Sequence, residues 1–209
     1  DLEFGPDDAL YVSDFDNDRI FRFAQPVVPK ATTTVYARVT DPQTLAFAPD
    51  GTLFIGRDAS GSGGGAADAV KITRVAPGGS PVTTYGNAAI ADPDAVAYDA
   101  SGQFSGTAGA VIVGGVTAEG SGEGRLSKII PDGTVTTLFG PSSSMINPGD
   151  FVFDASGRLL FTDSESGSIW VMTNATPRIL ISGLDAPSRI AVDSLGRILV
   201  SSANESRVR

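Results

Sequence analysis

The chain contains no cysteine and no histidine. The first absence excludes disulfides and thiolate metal sites, and by itself leaves the compartment open. The second removes the side chain that most often acts as general base and transition-metal ligand near neutral pH. Basic residues are few: 15 Lys and Arg stand against 24 Asp and Glu, a net charge of −9. Nucleic acid is therefore not an expected partner, because phosphate binding needs a basic surface. Anionic membranes are disfavoured by the same sign. No apolar run approaches the roughly 20 residues a membrane-crossing helix requires, so membrane insertion is not expected either. There is no initiator Met and no signal-peptide pattern in the 209 residues. The chain starts and ends inside a repeated unit, so the expectation is a processed or incomplete chain.

What is present is a repeat. The stretch from Ala186 to Ser201 reads as Pro, a short apolar strand, a Gly turn and a second apolar strand. Ile190 and Val192, then Ile198 and Val200, alternate with the period of two that a half-buried strand needs. Between them Asp193-Ser194-Leu195-Gly196 has turn chemistry. The unit recurs from Asn147 to Thr162 and from Asp41 to Gly56 without a gap. From Asp92 it recurs with an insert, Gln103 to Gly109, before its second strand Ala110-Val111-Ile112-Val113. Leu2 to Ser13 is a fifth copy without the opening Pro.

Equivalent second-strand positions are Leu10, Leu53, Ile112, Leu160 and Leu199, spaced by 43, 59, 48 and 39 residues. A sheet-like period of 40–50 points to propeller blades and not to helical solenoids. With 41% hydrophobic residues, spread evenly, the chain has enough apolar side chains for a packed core. The expected fold is all-β. It is a β-propeller of about five four-stranded blades, or a five-blade portion of a six-blade disc. We expect a single domain over 1–209, with repeats near 1–40, 41–91, 92–146, 147–185 and 186–209. An incomplete last blade would leave a sheet edge open to pairing with another chain.

The segment Ala9-Leu10-Tyr11-Val12-Ser13-Asp14-Phe15-Asp16-Asn17-Asp18-Arg19-Ile20 resembles an NHL repeat, whose blade runs Gly-x-(Leu/Ile)-Tyr-Val-x-Asp-x-x-Asn-x-Arg-Ile. The Pro openings and Asp-x-x-Gly turns extend the resemblance to all five copies. Two enzyme families are similar in repeat grammar. Gluconolactonase-like (senescence marker protein-like) propellers hold one divalent metal with Glu, Asn and Asp at the openings of inner strands. The positions following each Pro here are Gln43, Asp94, Gly149 and Ser188, and only Asp94 matches a ligand of that family. Streptogramin lyase-like propellers depend on a catalytic His, which this chain lacks.

Three sets of residues are candidates for a site. Positional equivalence puts Asp1, Thr44, Ala95, Asp150 and Arg189 just before the inner strands, where blade openings converge on a channel mouth. Asp1, Asp94 and Asp150 would face one another there, with Gln43 and Arg189 nearby. Converging carboxylates hold a hard cation or raise one another's pKa, and Ca²⁺ is the cation that an all-oxygen ligand set suits. The alternative is a polar channel with Arg189 paired to an Asp. Asp14, Asp16 and Asp18 alternate as at the start of a calcium loop, but lack that loop's Gly and distal Glu; a turn stabilised by Asp and Asn side chains accounts for them equally. The insert Gln103–Gly109 and the Gly-rich stretch 119–124 are read as loops forming a binding rim, and the Gly/Ser stretch 59–67 as a flexible loop. Trp170 is read as packing between blades.

These readings lead to a non-catalytic binding or scaffold propeller, secreted to an extracellular or periplasmic setting in bacterial style. Its expected ligand is a protein or glycan held on one rim. One alternative is a Ca²⁺-dependent lactonase or hydrolase using the channel carboxylates. A second is a structural subunit that self-associates through an open blade edge.

Overall fold

Pro-initiated apolar segments and Gly turns should fold locally into hairpins, and the computed structural model shows them doing so. It describes residues 1–24, 32–57, 70–90, 92–116, 123–174, 176–204 and 207–208. The Gly/Ser stretch 59–67 and most of the second Gly-rich stretch, 119–122, lie outside these.

Five antiparallel sheets follow one another along the chain. The first contains β1 (Leu2–Phe4), β2 (Leu10–Asp14), β3 (Arg19–Phe23) and β4 (Thr33–Arg38). The second contains β5 (Pro42–Phe47), β6 (Leu53–Arg57), β7 (Val70–Val75) and β8 (Val82–Ile90). The third contains β9 (Pro93–Asp99), β10 (Ala110–Val116), β11 (Gly124–Ile129) and β12 (Val135–Ser142). The fourth contains β13 (Pro148–Phe153), β14 (Leu159–Asp163), β15 (Ser168–Thr173) and β16 (Thr176–Ile181). The fifth has three strands among the described residues, β17 (Pro187–Val192), β18 (Ile198–Ser202) and β19 (Arg207–Val208). Each sheet is a meander in sequence order, which makes it a propeller blade. The fold is an all-β propeller of five blades.

The inner strands pack in series: β1 against β5, β5 against β9, β9 against β13, and β13 against β17. Side chains between successive blades form the core. Leu45, Leu53, Ile55 and Ile20 fill the first junction, and Phe54, Val96, Val111 and Ile129 the second. Phe151, Phe161, Trp170 and Met145 fill the third. Trp170 stacks on Phe161 at 6.2 Å between centroids, so it is packing material between blades. Leu160, Ile169, Val171 and Ile190 fill the fourth.

Hairpin turns repeat their chemistry as well. In blade four Asp154 accepts the amides of Ser156 and Arg158 and the Arg158 guanidinium. In blade five Asp193 does the same for Leu195, Arg197 and the Arg197 side chain. Gly157 and Gly196 close these turns at φ 72° and 76°, a conformation glycine adopts without penalty. The Gln103–Gly109 insert is tied down differently. Asp99 accepts the amides of Gly102 and Ser105, and Lys128 Nζ donates to the Ser105 carbonyl at 2.7 Å.

Candidate ligand-binding channel

All five inner strands contribute to one cavity of about 700 Å³ on the propeller axis. Register fixes what each blade places there. Leu2, Leu45, Val96, Phe151 and Ile190 are equivalent, pairing with Val12, Ile55, Val113, Phe161 and Val200. One residue earlier stand Asp1, Thr44, Ala95, Asp150 and Arg189. One residue later stand Glu3, Ala46, Ala97, Val152 and Ala191. The cavity has an apolar wall, with Phe47, Tyr98, Phe151 and Phe153 as its aromatic part. Its polar groups are Asp1, Glu3, Asp150, Arg189 and Ser201.

Asp1 and Asp150 both line this cavity, as positional equivalence predicts, but their carboxylates have structural work there. Asp1 Oδ2 accepts the amide of Leu45 on the next blade at 2.8 Å. Asp150 Oδ2 accepts the amide of Ile190 on the next blade at 2.8 Å, and its Oδ1 accepts its neighbour Phe151's amide at 3.0 Å. A hydroxyl accompanies each. Ser13 Oγ donates to the Gln43 carbonyl at 3.3 Å, and Thr162 Oγ1 donates to the Ser188 carbonyl at 3.1 Å. The first and fourth junctions thus share one polar latch, aimed at main-chain atoms of the following inner strand.

The second and third junctions lack it. Thr44 and Ala95 stand where the carboxylates would be, and Gly56 and Gly114 replace the hydroxyls. A Cβ built on Gly56 would lie 2.4 Å from the Pro93 carbonyl oxygen, and one on Gly114 would lie 2.4 Å from Phe151 Cζ. Here the next strand closes directly onto a bare backbone.

Asp94 and Gln43 do not join Asp1 and Asp150 on the cavity wall. Each follows its strand's opening Pro, where the ladder skips a residue between Pro42 and Thr44 and between Pro93 and Ala95. That irregularity sets both residues apart from the strand register that faces the axis. Arg189 does line the cavity, with its guanidinium 4.0 Å from Asp150 Oδ1. Among the described residues no group of three or more acidic side chains is placed to hold a metal. Three of the Asp1 and Asp150 carboxylate oxygens already accept main-chain amides.

The Asp14–Asp18 turn is likewise spread out. Asp14 accepts Asn17 Nδ2 at 2.8 Å and Arg19 Nε at 3.0 Å, around a short 3-10 turn at Phe15–Asn17. Asp18 Oδ1 accepts the Asp41 amide at 3.0 Å. Those bonds brace the turn and its link to blade two.

Glu3 is the site residue that motif reading passes over. Its equivalents are three alanines and a valine, so one signal was available: a lone acid where every other copy is small and apolar. Glu3 is exposed on the open cavity wall, but the surrounding walls strip much of its hydration. That desolvation first, and the Asp150 charge second, push its carboxyl up to about 7. Burial also raises Asp150, opposed by the Ile190 amide and then by Arg189.

No protein-family model matches the chain, and no curated protein matches it in sequence. Solved structures do. A chain of a nidogen/laminin complex is 16% identical with a TM-score of 0.77, over 99% of this chain and 73% of that one. A structural-genomics target described as a gluconolactonase is 13% identical with a TM-score of 0.70, over 96% of this chain and 70% of that one. An auxiliary nutrient binding protein from Bacteroides ovatus is 14% identical with a TM-score of 0.68. That match covers 99% of this chain but 57% of the other, so the chain spans less than two thirds of that relative. At these identities the likeness carries the propeller fold and nothing finer.

Proposed function

We propose that the chain is a non-catalytic binding propeller whose ligand seat is the axial cavity. The observation that carries this reading is the make-up of that cavity. Its volume of about 700 Å³ suits a small organic molecule. Its wall is aliphatic and aromatic, and its few polar groups sit together at the strand openings. Asp1 and Asp150 are engaged in joining blades, which leaves Glu3 and Arg189 as the groups that meet a ligand. Of the rim loops expected to hold a protein or glycan, the Gln103–Gly109 insert is tied down by Asp99 and Lys128 and most of 119–124 falls outside the described residues, so the channel is where the described residues support a seat. The nutrient binding protein among the structural neighbours is in keeping with this reading.

One observation favours a second reading, hydrolysis: a carboxyl near neutrality inside a cavity is suited to general-base work. The test addresses both. N-phenyl-1-naphthylamine, a neutral apolar fluorophore, is titrated into the protein and into Ala191→Trp. Ala191 is a solvent-exposed residue of the cavity wall, so the indole projects into the channel and narrows it without crowding the core. Saturable binding to one site, lost in A191W at unchanged melting temperature, supports the channel seat. No saturable binding, or binding undiminished in A191W, overturns it. Turnover of simple lactones or esters that Glu3→Gln abolishes would transfer the conclusion to the hydrolase.

A further inference from the structure

Blades one and three carry an arginine at the same register position. Val12 pairs with Phe21 in blade one, and Val113 pairs with Ser127 in blade three. Two residues further on, Asp14 faces Arg19, and Gly115 faces Arg125. In blade one the pair is an ion pair, with Arg19 Nε 3.0 Å from Asp14 Oδ2. In blade three the position of the carboxylate belongs to a glycine. Arg125 Nε is buried and has no hydrogen-bond partner among the described residues.

Among the described residues, Arg38 and Arg178 are exposed to solvent, and most of the other arginines have a partner. Arg22, Arg158, Arg189 and Arg197 each have a carboxylate within ion-pairing distance. Arg57 Nε donates to the Thr40 carbonyl, and Arg74 lies over the Tyr85 ring. Arg125 as a whole is half-buried, but its Nε is shut off from solvent, and a buried donor without an acceptor forfeits hydration and gains nothing in return.

Arg125 lines a cavity of about 180 Å³ between the second and third blades. Ser127 and Thr137, opposite one another on β11 and β12, line it too. The long strand β8 forms its far wall with Ala88, Ala89 and Ile90. That wall is fixed: the Asn87 amide donates to the Gly133 carbonyl at 2.7 Å, and Asn87 Oδ1 accepts the Val135 amide at 3.0 Å.

We propose that this cavity is a binding site for a small carboxylate, whose oxygens take the place beside Arg125 that Asp14 takes beside Arg19. The guanidinium fork matches a carboxylate in geometry, and the Ser127 and Thr137 hydroxyls add donors on the same wall. A protein of net charge −9 does not attract anions in general, so binding here reports the site itself.

Acetate, inorganic phosphate and chloride are titrated by calorimetry into the wild-type protein, Arg125→Gln, Arg125→Lys and Arg19→Gln, with melting curves to confirm folding. The expected result is saturable acetate binding, weakened at least about tenfold in R125Q, less in R125K, and unchanged in R19Q. Gly115→Asp supplies the carboxylate internally and is expected to abolish acetate binding. No saturable acetate binding to the wild type overturns the proposal, as does binding that R125Q leaves intact or that R19Q removes equally. Binding of phosphate without acetate overturns the assignment to carboxylates.

Discussion

The propeller joins its blades in two ways. The first and fourth junctions use a carboxylate and a hydroxyl, Asp1 with Ser13 and Asp150 with Thr162, to hold main-chain atoms of the next inner strand. The second and third use no such side chain, and Gly56 and Gly114 let the next strand approach within a distance a Cβ would block. Both solve one problem, how to seat a strand start against the neighbouring sheet. The polar junctions do it with directional bonds, which leave charged groups on the channel wall. The glycine junctions do it by removing atoms, and they leave that stretch of wall apolar. The channel's division into a polar arc and an apolar arc follows from this difference.

The sharpest way to break the comparison is to put a side chain where a glycine stands. Gly114→Val should cost about 1–3 kcal/mol by forcing Phe151 out of its place, read as a lower urea midpoint at unchanged slope. Gly149→Ala is its control, since a Cβ there meets nothing closer than 3.5 Å. If G114V melts with the wild type, the third junction is not held by close approach.

A smaller effect tests the polar kind. Asp150→Ala leaves the Ile190 amide without its acceptor and should cost about 1–2 kcal/mol by urea denaturation. Asp150→Asn keeps an oxygen for that amide and should lose less than half as much. Equal losses would mean that charge, and not the amide bond, is what the junction uses.

The smallest effect concerns the charge left on the wall. The Glu3 carboxyl is raised from an ordinary 4.5 to about 7, so the folded protein holds that proton more tightly than the unfolded chain does. Stability is therefore lost as pH rises from about 4.5 to about 7, and stays lost above that. Glu3→Gln should match the wild type at pH 4 and melt about 1–3 °C higher at pH 8. A difference that stays constant with pH would show that Glu3 is not desolvated in the channel.

Much of this was legible in the sequence. The Pro, strand, Gly-turn, strand unit and its period identify the blades, because both strands and turns are local. Alignment of the copies also placed Asp1, Asp150 and Arg189 at equivalent strand openings, and all three do line the axial cavity. What the acids bond to was not legible, since their partners are main-chain amides of a different blade, and an amide has no signature in sequence. The bulges after Pro42 and Pro93 were equally hidden, and they carry Gln43 and Asp94 away from the cavity wall. Glu3 and Arg125 were readable in principle. Glu3 is an exception to its own column of equivalents, and Arg125 faces a glycine where its equivalent Arg19 faces Asp14; finding either requires comparing copies residue by residue instead of looking for motifs.

The latches grip backbone atoms, not side chains, on the strand that follows. A copied blade therefore brings its own attachment and asks no particular residue of its neighbour. Under gene duplication the receiving strand is free to drift at Leu45 or Ile190, provided it remains a strand. Such a joint lets repeat units be added or exchanged while their sequences diverge, and the wall of the channel can change its chemistry without the ring having to be rebuilt.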